Sequence, residues 1–570
     1  MTVGDMREGR KPGSALGVVQ MLGRLAGSPL IWLVAFAAAV VVGLMLPLRL
    51  PLGANYWDTN IYLDAAQRIE IGQLPNIDFF APVGPLGYYL VTWLHALFPQ
   101  AQPMLLANWG VLPVALPMMA LIVAHVGQRS RGQALALLLP FLLFASLPIN
   151  LHSLYPMPGF DGFGHYNRHI SLLLYLLVTV LLFVDARRLQ VGLVVLLMLA
   201  LFLVKVTGAV SGTFLVGYAV LAGRMRLRDA SVAAALVIAV LAPLDFVTGI
   251  VRAYVDDILT LLGLNTGALL PRFLTVASVK FNVVGPSLLL LAALAYAVWL
   301  EGGRLSWVRL HRLLASPLGW FAAVLLALTL FETQNTGSLE FIGLWPVLLL
   351  ILVEWGGRTD RLGRIVTVLV LMVALPSALI FVERSARAVI GAVNYKALAV
   401  PDLGPLGRVS VKPDIAERAV IMLAHYAAQQ AGYRDLAERG ELPSYILYSE
   451  IDYQATWLLE VQQGITAIRA WEAANGRRLD SLFTLDFTDP FNQLLNRRPP
   501  RGVPIGVDPG RTTPEIDPPT LESLNQVDAI LVPKCPLTTA RETIATHFSE
   551  ALKGRRLVAL APCWDMYLKA

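Results

Sequence analysis

Long apolar runs, separated by short loops that contain arginine, fill the first two thirds of this sequence. A helix needs about 20 apolar residues to cross the roughly 30 Å hydrocarbon core of a bilayer. With 56% hydrophobic and 15% charged residues, the chain has too much apolar surface for an ordinary water-soluble protein. We therefore predict a polytopic α-helical membrane protein with about eleven transmembrane helices. The predicted spans are 30–50, 103–126, 133–149, 169–185, 190–206, 208–222, 230–249, 285–301, 317–332, 338–354 and 362–382.

The basic loops set the predicted orientation. The apolar run 86–98 has roughly 13 residues, which is short for a span, so we place it at the membrane interface. All five arginine-rich loops then lie on the side of the N-terminus, which the excess of Lys and Arg in cytoplasmic loops makes the cytoplasmic side. The net charge of +6 therefore reflects orientation and predicts no nucleic-acid partner. These loops carry Arg129, Arg131, Arg187, Arg188, Arg224, Arg226, Arg228, Arg304, Arg309, Arg312, Arg358, Arg361 and Arg364.

The remaining loops and the C-terminal tail are predicted to face outward. We divide the chain into a transmembrane domain, 1–383, whose outer loop is 51–102, and an extracytoplasmic domain, 384–570. The tail is more polar, with helical periodicity over 415–431 and 453–473 and short β-rich runs at 444–448, 529–532 and 556–560. Helices that alternate with short apolar strands predict a small α/β domain. For a bacterium this means an inner-membrane protein with a cytoplasmic N-terminus and a periplasmic tail.

The two cysteines of the chain both lie in the tail. Cys535 and Cys563 each follow the end of a predicted strand, so neighbouring parallel strands would bring them together. Disulfides persist outside the cytoplasm. The pair is therefore either a disulfide or two buried thiols.

The outer loop 51–102 concentrates acidic and aromatic residues directly after the first span. Asp58 follows Tyr56 and Trp57, and Asp64 lies six positions further on, so the two carboxylates point to different faces of a helix. A carboxylate kept next to lipid is costly and indicates a functional site. Asp58 also suits a helix N-cap, because Asp accepts backbone N–H bonds there. Both interpretations remain open on the sequence.

Several motifs of this region resemble the GT-C class of membrane glycosyltransferases, which includes protein O-mannosyltransferases and lipid A aminoarabinose transferases. These are an Asp just beyond the first span, a Gly-x-x-Pro-x-x-Asp-Phe-Phe turn at 72–80, and Pro-x-Gly-Pro-Leu-x-Tyr-Tyr at 82–89. The resemblance is best over residues 30–126. It implies that a sugar moves from a polyprenyl-phosphate donor to an extracytoplasmic glycan, lipid or protein at the outer leaflet.

The resemblance also implies a role for Asp58, as the general base that accepts the proton of the acceptor hydroxyl. The class often carries further acids at this motif, whereas this chain has Thr59 and Asn60. A single carboxylate with neutral neighbours is a poor site for a hard cation. We therefore expect no metal cofactor.

The leaving phosphate of such a donor needs cationic or hydrogen-bonding partners. Lys205, Arg168 and His169 are the predicted donor-phosphate ligands, although Lys205 could instead extend to the lipid headgroups. The predicted substrate-binding residues are Tyr62, Asp64, Asp78, Tyr88, His165, Tyr166, Asn167, Gln334 and Asn335. Two polar tail loops, 496–501 and 508–511, are candidates for acceptor binding.

The competing function is transport or flipping of a lipid-linked intermediate. A secondary transporter is expected to have broken helices in two related halves and charges near the membrane midplane. This chain places its charged candidates at one face and adds an outer domain. The sequence therefore favours a glycosyltransferase.

Overall fold

The structure is a computed structural model that describes residues 27–151, 159–264, 269–302, 306–333, 339, 341–442 and 451–570. Helices dominate the first part of the chain. They are α1 (Pro29–Met45), α2 (Asp58–Glu70), α3 (Pro85–Leu97), α4 (Pro103–Trp109), α5 (Leu112–Gly127), α6 (Arg131–Ser146), α7 (His165–Phe183), α8 (Arg187–Val204), α9 (Val206–Leu221), α10 (Leu227–Thr248), α11 (Ile250–Leu264), α12 (Leu269–Val279), α13 (Phe281–Leu300), α14 (Trp307–Ala315), α15 (Pro317–Glu332), α16 (Trp345–Trp355) and α17 (Arg361–Ala392).

The C-terminal part mixes helices with short strands. Its helices are α18 (Pro413–Ala428), α19 (Gln430–Glu438), α20 (Ile451–Asn475), α21 (Phe491–Leu495), α22 (Pro518–Gln526), α23 (Thr539–His547) and α24 (Ser549–Leu552). The strands of the whole chain are β1 (Leu50–Pro51), β2 (Lys396–Ala397), β3 (Val409–Val411), β4 (Leu482–Thr484), β5 (Ala529–Pro533), β6 (Arg556–Ala561) and β7 (Trp564–Leu568). Two 3₁₀ helices, Ile342–Leu344 and Pro401–Gly407, complete the secondary structure.

Several helices expose apolar side chains that only lipid could cover. Helix α10 has 22 residues and a mean hydropathy of 2.2 over its most apolar window, yet only two of its residues, Asp229 and Ala233, are buried. At 1.5 Å per residue it is about 33 Å long, enough to cross the hydrocarbon core. In water this surface would be strongly unfavourable. The chain is therefore an integral membrane protein.

Five of the described helices are long and apolar enough to cross a membrane by themselves. Two bent pairs, α4 with α5 and α14 with α15, raise that number to seven if each pair is one span. The other predicted spans coincide with apolar helices of 17 residues or fewer, such as α1, α6 and α9. The count of eleven, and the orientation of the termini, stay predictions.

Helix α7 occupies the centre of the membrane part. Of its 19 residues, 17 are buried, so it is surrounded by protein on every side. A helix that is apolar all round is typical of the core of a large bundle. Its first turn nevertheless carries His165, Asn167 and Arg168, all of them buried. The polar residues thus stand at one end of the most enclosed helix.

The segment that leads to α2 is held against the segment that leads to α7. The N–H of Phe160 donates to the Pro51 carbonyl at 3.0 Å, and the N–H of Gly162 donates to the Ala54 carbonyl at 3.0 Å. A Cβ on Gly53 would lie 2.1 Å from the Phe160 carbonyl oxygen, and one on Gly162 would lie 2.3 Å from the Asn55 carbonyl oxygen. Only glycine permits this approach. We call segments 51–56 and 159–164 the clasp.

A small sheet joins the clasp to the tail. Strand β1 pairs in parallel with β3, and β2 pairs with β3 in the antiparallel direction. Helix α17 runs without interruption to Ala392, so the predicted boundary at 383/384 falls inside a helix. The outer loop and the tail are therefore linked by strand pairing as well as by packing.

A second sheet, in the order β4-β5-β7-β6, forms the core of the tail. Of the two alternatives left open for Cys535 and Cys563, the disulfide is present, with the two Cα atoms 5.1 Å apart. The two predicted strands, β5 and β6, run in the same direction, but they are not neighbours as expected, because β7 lies between them and is antiparallel to both. The sequence analysis did not predict β7, because its polar Asp565 interrupts the apolar run. The predicted strand 444–448 lies outside the described residues.

The clasp leads to a first prediction. Replacing Gly162 with Ala places a methyl group 2.3 Å from a backbone oxygen, which forces the two segments apart. Overpacking of this kind costs about 1–3 kcal/mol. We expect a lower thermal midpoint in detergent, measured by the fluorescence of the unfolding protein. Gly192→Ala in α8 is the matched control, since a Cβ there meets no atom within 4 Å. Equal midpoints for the two variants would contradict the steric role of Gly162.

Candidate active site

Asp58 is the first residue of α2, where the chain emerges from the clasp. The N-cap position is Trp57, whose side chain makes no capping bond, so the interpretation of Asp58 as the helix N-cap is wrong. Asp58 is partly exposed, while the residues on both sides of it are buried. Its location next to the start of α7 follows from the pairing of the two segments. The carboxylate accepts a hydrogen bond from the backbone of Gly164 in the clasp and does not cap the helix.

Burial and four neighbouring residues shift the pKa of Asp58 in opposite directions. Burial raises the pKa of this carboxyl to about 8, and the negative charge of Asp161 adds to the rise. The backbone N–H of Gly164 and the positive charges of Arg168 and Arg511 lower it again. Charged forms are disfavoured by loss of water and favoured by opposite charge. Asp58 is therefore a carboxyl that gains and loses its proton near neutral pH.

Asp161 is a site residue that the sequence analysis missed. It lies in the clasp, and its pKa is raised to about 6, mainly by burial and against the lowering charge of Arg168. The Phe163 N–H donates to its Oδ1 at 2.7 Å. The sequence could have indicated Asp161, because it is an acidic residue in the segment 150–168, which is predicted to lie on the same side of the membrane as Asp58.

Arg168 links the two carboxylates. It is 1% exposed, its Nη2 donates to the Asp161 carbonyl at 3.0 Å, and its Nη1 lies 3.1 Å from His165 Nδ1. Its Nη2 also lies 3.8 Å from the Asp161 carboxylate. Its Nε finds no hydrogen-bond partner among the described residues. The guanidinium therefore lowers the pKa of both acids. Its Nε can also donate a hydrogen bond to a ligand.

The rings of four residues lie beside these charges, and we call them the aromatic wall: Tyr62, Tyr88, His165 and Tyr166. The ring of Tyr62 lies 5.6 Å from that of Tyr88 and 5.7 Å from that of His165, measured between centroids. Tyr62 and His165 meet edge to face, and Tyr166 follows His165 on the first turn of α7. Four of the predicted substrate-binding residues are therefore brought together next to Asp58.

Lys205 stands in the break between α8 and α9, where the backbone is extended. Its Nζ donates to Asn167 Oδ1 at 3.0 Å and lies 4.8 Å above the ring of Tyr166. The buried Glu332, also missed on the sequence, acts on it through its charge. Because Lys205 is 8% exposed and bonded inside the protein, the alternative in which it extends to the headgroups is wrong.

Other predicted residues lie elsewhere. Asp64 forms a buried ion pair with Arg68, at 3.0 Å, on the face of α2 that packs on the tail. The Asp78 carboxylate accepts the Leu74 N–H at 2.8 Å and so holds its own turn. The Nε2 of His169 bonds the carbonyls of Ala107 and Asn108, at 2.9 and 3.2 Å, across to α4. Gln334 and Asn335 fall outside the described residues.

The tail covers the outer side of α2. The Trp57 N–H donates to Gln454 at 2.9 Å, and Asn60 Nδ2 donates to Thr488 at 2.8 Å. The Gln67 amide donates to the carbonyls of Asn492 and Arg497 at 2.9 and 2.7 Å. These buried polar contacts, together with the packing of Trp57 on Phe487 at 4.9 Å, fix α2 between the two parts of the chain.

The described residues contain one group of three that could in principle hold a metal ion: Glu460, Cys535 and Cys563. Both sulfurs are committed to the disulfide, and Glu460 pairs with Arg541 at 2.8 Å. Disulfide sulfur is not the thiolate that binds zinc. This cluster is therefore a structural element of the tail.

The ionisation of Asp58 leads to a stability prediction. Its folded pKa, about 8, exceeds the ordinary value of 3.8, so the folded state binds a proton that the unfolded state has released. The stability contributed by this group is therefore lost as pH rises from about 4 to about 8. We expect Asp58→Asn to unfold at a higher temperature than the wild type at pH 9, by an amount on the order of 1 °C. The difference should shrink towards pH 5, and a difference independent of pH would contradict the raised pKa.

No protein-family model matches this chain, and no curated protein matches it. Two solved structures are similar over 95% of this chain and 98% of their own: ArnT from Cupriavidus metallidurans in the apo state, and the same protein bound to undecaprenyl phosphate. The sequence identities are 13% and 14%, and the TM-score is 0.39 for both. A similarity at this TM-score does not assign a function to the chain.

Proposed function

We propose that this protein is a membrane glycosyltransferase that moves a sugar from a polyprenyl-phosphate donor to an extracytoplasmic glycan, lipid or protein. One observation carries the proposal: the aromatic wall has a carboxyl whose pKa burial raises to about 8 beside it and a buried lysine over one of its rings. The carboxylate can accept the proton of an acceptor hydroxyl, and the lysine can stabilise the charge of a leaving phosphate. The aromatic rings can pack against the sugar. We place the protein in a bacterial inner membrane with this site outward.

Asp58 is the proposed general base. In its ionised form it accepts the proton of the acceptor hydroxyl while the oxygen forms a bond to the anomeric carbon of the sugar. The bond from that carbon to the phosphate oxygen breaks, and the electron pair leaves with the polyprenyl phosphate. A base whose pKa lies near the working pH combines a useful ionised fraction with a useful proton affinity. The pKa of about 8 meets that requirement.

Lys205 is the proposed partner of the leaving phosphate. Charge that develops on the phosphate oxygen is stabilised best by a cation already held in place, in surroundings that exclude water. The bond to Asn167 and the ring of Tyr166 hold the ammonium there before the reaction begins. Arg168 and His169 were predicted in the same role. We assign Arg168 mainly to Asp58 and Asp161, because its two Nη groups already face Asp161 and His165.

No metal ion takes part in the proposed reaction. The two carboxylates Asp58 and Asp161 both have the positive charge of Arg168 acting on them. A divalent cation between them would be repelled by that guanidinium. The charge that a metal would supply is thus provided by the protein itself.

Transfer of labelled sugar from a polyprenyl-phosphate donor to a bacterial envelope extract, in the presence of EDTA, tests this function. We expect Asp58→Asn to reduce transfer by about 10²- to 10⁴-fold, the usual contribution of a positioned base. The variant should fold, since an amide replaces the carboxyl without change of shape. Asp528→Asn, in the tail, is the matched control and should retain transfer. Full activity of Asp58→Asn would refute the assignment, as would an absence of transfer by wild-type protein.

The pH dependence of transfer gives an independent test of the charges around Asp58. A base must lose its proton to act, so the rate should rise with pH and reach half its maximum near pH 8. Asp161→Asn removes a repelling charge and should move this midpoint to lower pH, by roughly one pH unit. Arg168→Gln removes an attracting charge and should move the midpoint to higher pH. Shifts of both midpoints in the same direction would contradict the proposed arrangement.

A further inference from the structure

A loop of the tail, residues 502–513, lies against the outer loop at the mouth of the site. The Gly502 N–H donates to the Asp78 carbonyl at 2.7 Å, and the Ile505 N–H donates to the Phe80 carbonyl at 3.2 Å. A Cβ on Gly506 would lie 3.4 Å from Ile61 Cδ1. Ile61 follows Asp58 by three positions, so the two share a face of α2. The 502–513 loop is thereby placed beside the proposed base.

The end of this loop is a tight, internally bonded turn. The N–H groups of Arg511 and Thr512 donate to the Asp508 carbonyl at 3.0 and 2.9 Å, and Thr512 Oγ1 donates to the Gly506 carbonyl at 2.8 Å. The Asp508 N–H donates to Thr513 Oγ1 at 2.8 Å. With its backbone fixed in this way, the turn holds the base of the Arg511 side chain in one place. Arg511 therefore projects from a turn whose backbone is fixed by hydrogen bonds.

Arg511 faces two ways. Its side chain is 72% exposed, and its Nη1 donates to Asp508 Oδ2 at 3.1 Å. Its positive charge also acts on Asp58. An exposed ion pair of this kind contributes little to stability. A guanidinium forms paired bonds to phosphate and carboxylate groups. An incoming anion can therefore compete with Asp508 for this exposed side chain.

We propose that Arg511 anchors the acceptor, and that the acceptor carries a phosphate or carboxylate group near the hydroxyl that is glycosylated. This rests on the proposed transferase function and names the class of its acceptor. The donor phosphate is assigned to Lys205, which lies over the ring of Tyr166. Each of the two cations would then hold one of the two substrates. The C-terminal domain thereby supplies one residue of the site.

Binding of glucose 6-phosphate, compared with glucose, tests the inference on the full-length protein in detergent. Undecaprenyl phosphate is present throughout, so that the donor-phosphate position is filled. Saturation-transfer NMR gives the two dissociation constants. We expect wild-type protein to bind the phosphate sugar about tenfold more tightly than glucose, as for a hydrogen bond to a charged group, and Arg511→Ala to lose that preference. Equal affinities for the two sugars in wild-type protein would overturn the proposal.

Two further variants separate anion binding from structural damage. Asp508→Asn removes the competing carboxylate and leaves the backbone bonds of the turn in place, so it should strengthen binding of glucose 6-phosphate; weaker binding would overturn the proposal. Arg439→Ala removes a comparable exposed arginine, paired with Asp435 at 2.7 Å, and should behave as wild type. An equal loss in Arg439→Ala and Arg511→Ala would show only a general effect of charge and would also refute the inference.

The transferase function can fail separately from this inference. If glucose 6-phosphate binds through Arg511 but the wild type releases no sugar from the polyprenyl-phosphate donor, the transferase proposal is refuted and the anion site stands. If the donor is used and Asp58→Asn abolishes its use, while Arg511→Ala keeps the preference for the phosphate sugar, the inference is refuted and the transferase proposal stands.

Discussion

The clasp between segments 51–56 and 159–164 is the contact on which the site depends. Two short stretches from distant parts of the sequence run side by side, at a distance that glycine alone permits at positions 53 and 162. One stretch ends at Asp58, and the other contains Asp161 and leads into α7. The backbone therefore sets the spacing of the two carboxylates and of Arg168. Side-chain flexibility contributes little, because the residues next to Asp58 and nearly all of α7 are buried.

The tail acts as the second support of this arrangement. Helix α2 presents one face to the aromatic wall and another to the tail, where Asn60 and Gln67 hydrogen-bond to it. Buried polar contacts are worth little net stability but are costly to break, because each broken bond leaves an unsatisfied group. They therefore favour a single position for α2 over a range of positions. A base that must meet a hydroxyl within hydrogen-bonding distance benefits from such restriction.

The sequence predicts the local features of the molecule well and the long-range ones poorly. Hydropathy identified the membrane helices, and the two cysteines were enough to suggest a disulfide. The relation of Lys205 to Asn167 and Tyr166 could not be derived, because it depends on the break between α8 and α9 and on how these helices pack around α7. Arg511 is more than 450 positions from Asp58, and no periodicity connects them. Strand β7 escaped notice because Asp565 breaks its apolar pattern, although the strand alternates buried and half-buried residues.

Asp64 and Asp58 show why position in sequence does not decide role. Both are acids of α2, and burial raises the pKa of both. Asp64 has a dedicated partner, since Arg68 one helical turn away pairs with it and also donates to the Pro500 carbonyl at 2.7 Å. Its charge is therefore neutralised within a contact that holds the tail. Asp58 shares Arg168 with Asp161 and Arg511 with Asp508, so neither of these cations acts on Asp58 alone. An acid whose compensation is incomplete exchanges its proton more readily near neutral pH, and this difference supports Asp58, and not Asp64, as the proposed general base.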